Sequence, residues 1–392
     1  MTRWITGFIL GTLIIGVTSP WFVRSYLPKV HEASRNVDVL RPHSSYRWRS
    51  EGYATTKIGP LGMPGQPTDP RGHVAAFHVA LWGDSQAEGV CVDDSHKIAA
   101  HVSRRSRNEV LVLPMARSGD DCNDWIRQIR SLNTNPDQSI RIDAHVFLVV
   151  QWSDWCIEVD ESSEKTDQRF NELAENVPAF MIQAGRNVLT KGQDNEIRSF
   201  RFRPGPVVSQ NQPPSLASER PGIPPQVNFQ VDSAAEVVKT LENGPSDETL
   251  GDFRYSATEL RRNTSTERQR ALLSKQLNRL SLQTDRPCVF LYAPLFPAII
   301  GGKVVRDDPD SELYEQLVQH CQKHGFEAVD LRPDLDRVVA EGIWPRGFHN
   351  GQFGVGHYNA VGNEIIATGL LSSKLIANSI WHDALSNDSE TD

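Results

Sequence analysis

An α/β protein organised around one parallel sheet is the fold class this sequence predicts, and three observations predict it. Short apolar runs of strand length recur at Val74–Trp82, Glu109–Pro114, Ala144–Val150, Cys288–Ala293 and Phe326–Leu331. Segments with apolar residues at helical spacing lie between them. Polar residues capable of chemistry follow the first three runs directly. Strands alternating with helices imply right-handed crossovers and helices on both faces, and in such sheets ligands bind beyond the carboxyl ends of the strands.

Taken in order, the chain opens with an almost wholly apolar stretch, Trp4 to Val23, after Arg3 and before Arg24 and Lys29. That length suits one bilayer crossing. A cleaved signal peptide is the rival reading, but Pro20 directly after the passable site Val17-Thr18-Ser19 favours an uncleaved anchor. Residues 1–27 are therefore expected to be an N-terminal transmembrane helix, with the body outside the cytoplasm, periplasmic or at the cell surface. Residues 28–73, rich in Pro, Gly and Arg without a sustained period, predict an irregular extension packed over a domain. The domain proper spans 74–392. Its first strand, Val74–Trp82, stops at Gly83. A helix over Ser95–Ser103 carries Ile98, Ala99 and Val102, and one over Cys122–Leu132 aligns Trp125, Ile126, Ile129 and Leu132. Later, Asp308-Pro309 opens a helix that Gly325 closes, and the last helix shows Val361, Ile365, Ile366 and Leu370 on one face.

Residues 160–285 break the alternation and read as a long insertion, with helical patterns at Thr166–Ala184 and Thr264–Leu282 and a Pro-rich middle. The second helix starts with a capping box, Thr264 and Glu267. Such a segment is read equally as a lid, a substrate-binding wall or a tolerated surface excursion. The chain of 392 residues, 39% hydrophobic, can fill one core and still carry these attachments. A net charge of -8 leaves no large cationic field, which argues against a nucleic-acid partner. Five scattered cysteines, Cys91, Cys122, Cys156, Cys288 and Cys321, show no metal-ligand spacing and read as small buried hydrophobes. One pair could be a disulfide in an exported domain. No metal and no cofactor are expected.

Two segments carry the chemistry. Leu81-Trp82-Gly83-Asp84-Ser85 places a serine on the turn leaving a strand, where a hydroxyl needs a base and backbone N–H groups to become a nucleophile. Gly354-Val355-Gly356-His357-Tyr358-Asn359-Ala360-Val361-Gly362 places a histidine on a Gly-rich loop anchored by a helix start. His349 reads as an ordinary structural histidine. Trp82, Trp152 and Trp155 flank the expected site and suit either stacking on sugar rings or packing.

Together with Arg117-Ser118-Gly119 and Gln151-Trp152-Ser153-Asp154, these segments resemble, in order and position, the SGNH (GDSL-type) hydrolase family, over about residues 74–160 and 286–378. Gly59-Pro60-Leu61-Gly62-Met63 is similar to a segment that precedes the catalytic domain in many members. The resemblance implies a three-layer α/β/α, flavodoxin-like sheet, with Ser85 as nucleophile and His357 as base. The Ser85 and Gly119 backbone N–H groups become the oxyanion donors. Where the family has an oxyanion-hole asparagine this chain has Ser153, a shorter donor. The family's acid lies three residues before the histidine, where this chain has Gly354. The group orienting His357 is then a backbone carbonyl or a carboxylate from elsewhere, Asp154 or Asp330, although Asp154 equally reads as a cap or an ion-pair partner.

The function expected on this basis is a serine esterase acting through a Ser/His acyl-enzyme, with O-acetyl groups on a cell-surface carbohydrate as substrate. Transfer of the acyl group to a sugar hydroxyl by the same pair is a close variant. A non-catalytic binding or scaffold protein is the alternative from another class. For the enzyme, activity is expected to rise with pH through the neutral range as a histidine base loses its proton.

Overall fold

The structure is a computed structural model, and it describes residues 2–18, 29–48, 51–66, 70, 75, 77–134, 140–159, 231–232, 267–300, 303–351 and 353–378. From the amino end the chain forms helix α1 (Thr2–Thr18) and then two antiparallel hairpins. The first pairs β1 (Lys29–Glu32) with β2 (Val37–Leu40), the second β3 (Ser45–Trp48) with β4 (Ala54–Lys57). The alternation follows: β5 (Phe77–Trp82), the single-turn α2 (Ser85–Glu88), α3 (Ile98–Arg105), β6 (Val110–Pro114), α4 (Cys122–Thr134) and β7 (Ala144–Val149). After the short β8 (Val231–Asp232) come α5 (Glu267–Ser281), β9 (Cys288–Tyr292), β10 (Ala298–Ile300), β11 (Lys303–Val305), α6 (Ser311–His324), β12 (Glu327–Asp330), α7 (Arg332–Ala340) and α8 (Ala360–Ser372).

The five strands predicted from apolar runs form one wholly parallel sheet in the order β12-β9-β7-β5-β6. Counted in chain order this is the 2-1-3-4-5 arrangement of doubly wound folds, whose crevice lies where the order reverses, between β5 and β7. Strand alternation sorts the side chains into two layers. Ala80, Trp82, Leu113, Phe147, Val149, Phe290 and Tyr292 face α4, α5 and α6, through Trp125, Ile129, Leu273, Leu277, Leu313 and Leu317. Val79, Leu81, Val112, Val146, Leu148, Val289 and Leu291 face α3, α7 and α8, through Ile98, Val102, Leu335, Ile366 and Leu370. The result is a three-layer α/β/α sandwich, as expected for strands buried on both faces.

Several expectations need correction. The described part of residues 28–73 holds two hairpins: their strands are only four residues long and, apart from the largely buried β2, partly exposed, so neither period nor apolar content announces them. The insertion does not reach 285. Helix α5 buries Leu273, Leu277 and Leu280 in the sheet's own helix layer, because the parallel step from β7 to β9 needs a crossover helix. Thr264 of its expected capping box and the predicted helix at 166–184 lie outside the described residues. Helix α6 starts after Asp310 rather than at Pro309. The Asp308 carboxylate accepts instead from the Asp310 N–H and from the Tyr292 hydroxyl. None of the five cysteines is in a disulfide, and four are buried. Trp82, Trp152 and Trp155 are all buried, which rules out their stacking on a sugar in this conformation.

Helix α1 has no buried residue, and Trp4, Phe8, Leu10 and Leu13 are exposed. Among the described residues no helix is long and apolar enough to cross a membrane. The remainder of the predicted span, 19–23, lies outside them.

The hairpins dock through Arg35, which is fully buried. Its guanidinium donates to the Gln128 side chain at 2.6 and 2.9 Å and to the Leu61 and Met115 carbonyls at 2.8 and 2.6 Å. Burial first, then the neighbouring Arg117, lowers its pKa to about 9. A charge placed there persists because every face of the guanidinium finds an acceptor or a carboxylate.

Candidate active site

Ser85 is the first residue of α2, one turn beyond β5, at the carboxyl edge of the sheet. Asp84 caps that turn, its carboxylate accepting the Gln86 N–H at 2.9 Å. Burial raises the Asp84 pKa, against the lowering effect of that bond and of His357. The serine hydroxyl lies 3.0 Å from His357 Nε2 and 3.4 Å from Asp84 Oδ2.

The histidine arrives on the loop before α8, and three contacts set its place. Asn359 caps α8 by accepting from the Val361 and Gly362 N–H groups, and its amide donates to the Trp344 and Gly347 carbonyls. The Tyr358 N–H donates at 2.9 Å to the side chain of Gln86, so residues adjacent to the serine and to the histidine are joined directly. The Tyr358 hydroxyl donates to the carbonyls of Ala293 and Pro294, just beyond β9.

The group that orients the imidazole is Glu51, at the tip of the β3–β4 hairpin. One carboxylate oxygen is 2.7 Å from His357 Nδ1, and the other accepts the His357 backbone N–H at 2.8 Å. A carboxylate only accepts, so the ring proton resides on Nδ1 and the Nε2 lone pair faces Ser85. The hairpin tip is pinned by reciprocal bonds between Asn350 and the Gly52 backbone, 2.8 and 3.0 Å, and by Asp93 and Asp94, which accept the Thr55 and Lys57 N–H groups. Trp48 meets the His357 ring edge-on at 6.5 Å.

This corrects both carboxylates expected from the sequence. Asp330 is engaged by Arg332 at 2.8 to 3.1 Å. Among the described residues Asp154 accepts only a long bond, 3.4 Å, from its neighbour Ser153. Burial first, then the charge of Asp84, lifts Asp154 to about 8. Gly354 adopts φ +76° and a β-carbon there would lie 2.7 Å from the Ile299 side chain, so any side chain three residues before the histidine is strained. At Gly356 a β-carbon would lie 2.1 Å from Glu51 Oε1, so this glycine makes room for the incoming carboxylate.

Gly119 follows β6 on a largely buried loop of which it is the exposed residue. Glu88, on the same helical turn as Ser85, holds that loop: its carboxylate accepts from the Ser118 N–H at 2.7 Å, the Ser118 hydroxyl at 2.5 Å and the Tyr46 hydroxyl at 2.6 Å. The loop before Gly119, the serine turn and the hairpin layer therefore meet at one buried carboxylate that sequence reading did not single out. A cavity of about 130 Å³ opens beside it, lined by Lys29, Asp38, Glu88, Arg117, Ser118 and Gly119 among others. Ser153, on a one-turn helix after β7, is exposed, with its hydroxyl directed to Asp154. His349, as expected, is peripheral, against the Tyr53 ring.

No family model matches the chain, and no curated relative does. Among solved structures it is similar to LAE5, an alpha/beta hydrolase enzyme from the metagenome of Lake Arreo, Spain, with 11% identity over 76% of this chain and 94% of that one, at a TM-score of 0.31. A variant of Axe2, an acetyl-xylooligosaccharide esterase from Geobacillus Stearmophilus, gives 9% identity over 78% and 94%, at a TM-score of 0.32. Likeness at this level carries no weight for mechanism.

Proposed function

We propose that the chain is an SGNH-type serine esterase in which Ser85 is the nucleophile, His357 the base and Glu51 the orienting acid. The observation that carries this reading is the continuous line from Ser85 Oγ to His357 Nε2, 3.0 Å, and from His357 Nδ1 to Glu51, 2.7 Å. Nε2 takes the hydroxyl proton as Oγ attacks the ester carbonyl, and returns it to the departing alcohol. The acyl-serine is then hydrolysed by water that the same nitrogen deprotonates, releasing the acid and regenerating Ser85. Glu51 stabilises the transient imidazolium, as the third member of such triads does. The Ser85 and Gly119 backbone N–H groups serve as oxyanion donors, Gly119 being carried by the loop that Glu88 braces.

The substrate class proposed is a small acyl ester, such as an acetyl group, on a carbohydrate. The family resemblance supports it. Attachment to a membrane through residues 4–23 belongs to the same proposal, supported by the unpartnered apolar side chains of α1. Protease accessibility in intact against lysed cells tests the exported location.

The chemistry is tested with p-nitrophenyl acetate and a fluorophosphonate probe. Labelling at Ser85 is expected, abolished in Ser85→Ala together with turnover, a loss on the order of 10⁶ for the nucleophile of a triad. A folded chain that neither labels nor hydrolyses would leave the scaffold reading in its place.

A further inference from the structure

From the side chains behind the imidazole we infer that this chain carries an inhibitory site for a thiophilic divalent cation such as Zn²⁺, built from Glu51, Cys91 and His357 Nδ1. The carboxylate oxygen, the thiol sulfur and the ring nitrogen lie within 4.8 Å of one another. Cys91 Sγ is 3.8 Å from the same Glu51 oxygen that faces Nδ1. The three residues are far apart in the chain, so no ligand spacing could show the group in the sequence.

The arrangement fits a zinc ion with small adjustments. Bond lengths of about 2.3 Å to sulfur and about 2.0–2.2 Å to nitrogen and oxygen place tetrahedral ligand atoms roughly 3.3–3.6 Å apart. The Glu51–His357 contact must open by about half an ångström and Cys91 move inward by up to about an ångström to reach that geometry. The thiol is buried at 2% exposure, whereas the Glu51 and His357 side chains are 19% and 22% exposed. An ion therefore enters from the carboxylate and imidazole side, with a fourth position left to solvent. Cysteine, histidine and carboxylate together are a donor set that zinc prefers over magnesium or calcium, which take oxygen.

Occupancy would silence the base through bonding rather than by blocking the pocket. The ion takes the Nδ1 lone pair and the Cys91 thiolate, so the thiol proton passes to solvent. The neutral imidazole then carries its one proton on Nε2, where it can donate to Ser85 but no longer accept from it. Inhibition in this form rests on the esterase reading, while binding does not.

The test separates the two. The full-length protein is titrated with Co²⁺, and one equivalent is expected to produce a near-ultraviolet thiolate-to-cobalt band that Zn²⁺ bleaches and that is absent in Cys91→Ser. Hydrolysis and fluorophosphonate labelling are expected to fall as Zn²⁺ is added and to return with EDTA. Even partners outside the ligand set change metal affinity about 10–100-fold, so Cys91→Ser should need at least about tenfold more Zn²⁺ for half-inhibition. No cobalt–thiolate band in folded wild-type protein overturns the site, whether or not the chain hydrolyses esters. Equal zinc sensitivity of wild type and Cys91→Ser overturns it as well. A band without any esterase activity would keep the site and remove only the inhibition.

Discussion

The doubly wound core and the hairpin layer over it contribute to the same three-residue line in different ways. The core supplies Ser85 and His357 from the carboxyl edge of the sheet, at positions dictated by where strands end and helices begin. The hairpin layer supplies Glu51 from a turn with no counterpart in the strand–helix alternation, held by side-chain contacts to Asn350, Asp93 and Asp94. In the proposed triad, nucleophile and base are thus products of the fold's topology, whereas the acid is a product of docking. What the comparison teaches is that a layer outside the strand–helix alternation can deliver a carboxylate to an imidazole that the sheet edge positions.

The sharpest way to break this contrast is Glu51→Gln. A carboxamide can present its N–H₂ to Nδ1 and stabilise the wrong tautomer, so a loss in kcat of about 10⁴ with near-normal KM is expected, as for the corresponding change in a serine-protease triad. Steady-state kinetics on the purified variant, with circular dichroism to confirm folding, reads it. Activity close to wild type would demote the hairpin layer to packing.

Gly356→Ala attacks the same delivery without touching any group that reacts. The new methyl would meet Glu51 Oε1 at 2.1 Å and force an L-residue to φ +86°. Displacement of a positioned group by about an ångström costs roughly 10²-fold, and a loss of about 10–100-fold in kcat is expected. A matching drop in thermal stability with kcat intact would mean that the glycine serves the loop alone.

Legibility in the sequence followed the same division. The five strands, α4 and α8 were readable because burial on both faces leaves continuous apolar runs, and buried helix faces leave 3.6-residue spacing. Ser85 and His357 were readable because each sits at a strand or helix end where glycines mark the turn. Glu51 was not, since a carboxylate flanked by Ser50 and Gly52 in a Pro- and Gly-rich stretch looks like any solvated turn. Glu88 and Gln86 were hidden for a related reason: polar residues in a four-residue helix give no period, and their partners Tyr46, Ser118 and Tyr358 are distant in sequence. Helix α5 reads as a helix in the sequence but falls to the insertion there, because the sequence from residue 160 onward breaks the strand–helix alternation before it.

A smaller effect separates core stability from hairpin docking by pH. His145, at the start of β7 and away from the Ser85 edge, is buried, and its ring accepts the Trp82 indole N–H at 3.1 Å. Burial lowers its pKa from 6.5 to about 3. Above pH 6.5 the ring is neutral in both folded and unfolded chains and the stabilisation is fully present. Between about 6.5 and 3 the unfolded chain binds the proton more readily, so stability is lost as pH falls, at no more than about 1.4 kcal/mol per pH unit from this one group. His145→Gln keeps an acceptor for the indole and removes the titration. Denaturant unfolding between pH 4 and 7 should then show a shallower fall than wild type, while kcat at neutral pH is unaffected because the site lies at the opposite end of the strand. An unchanged slope would mean that acid sensitivity originates elsewhere.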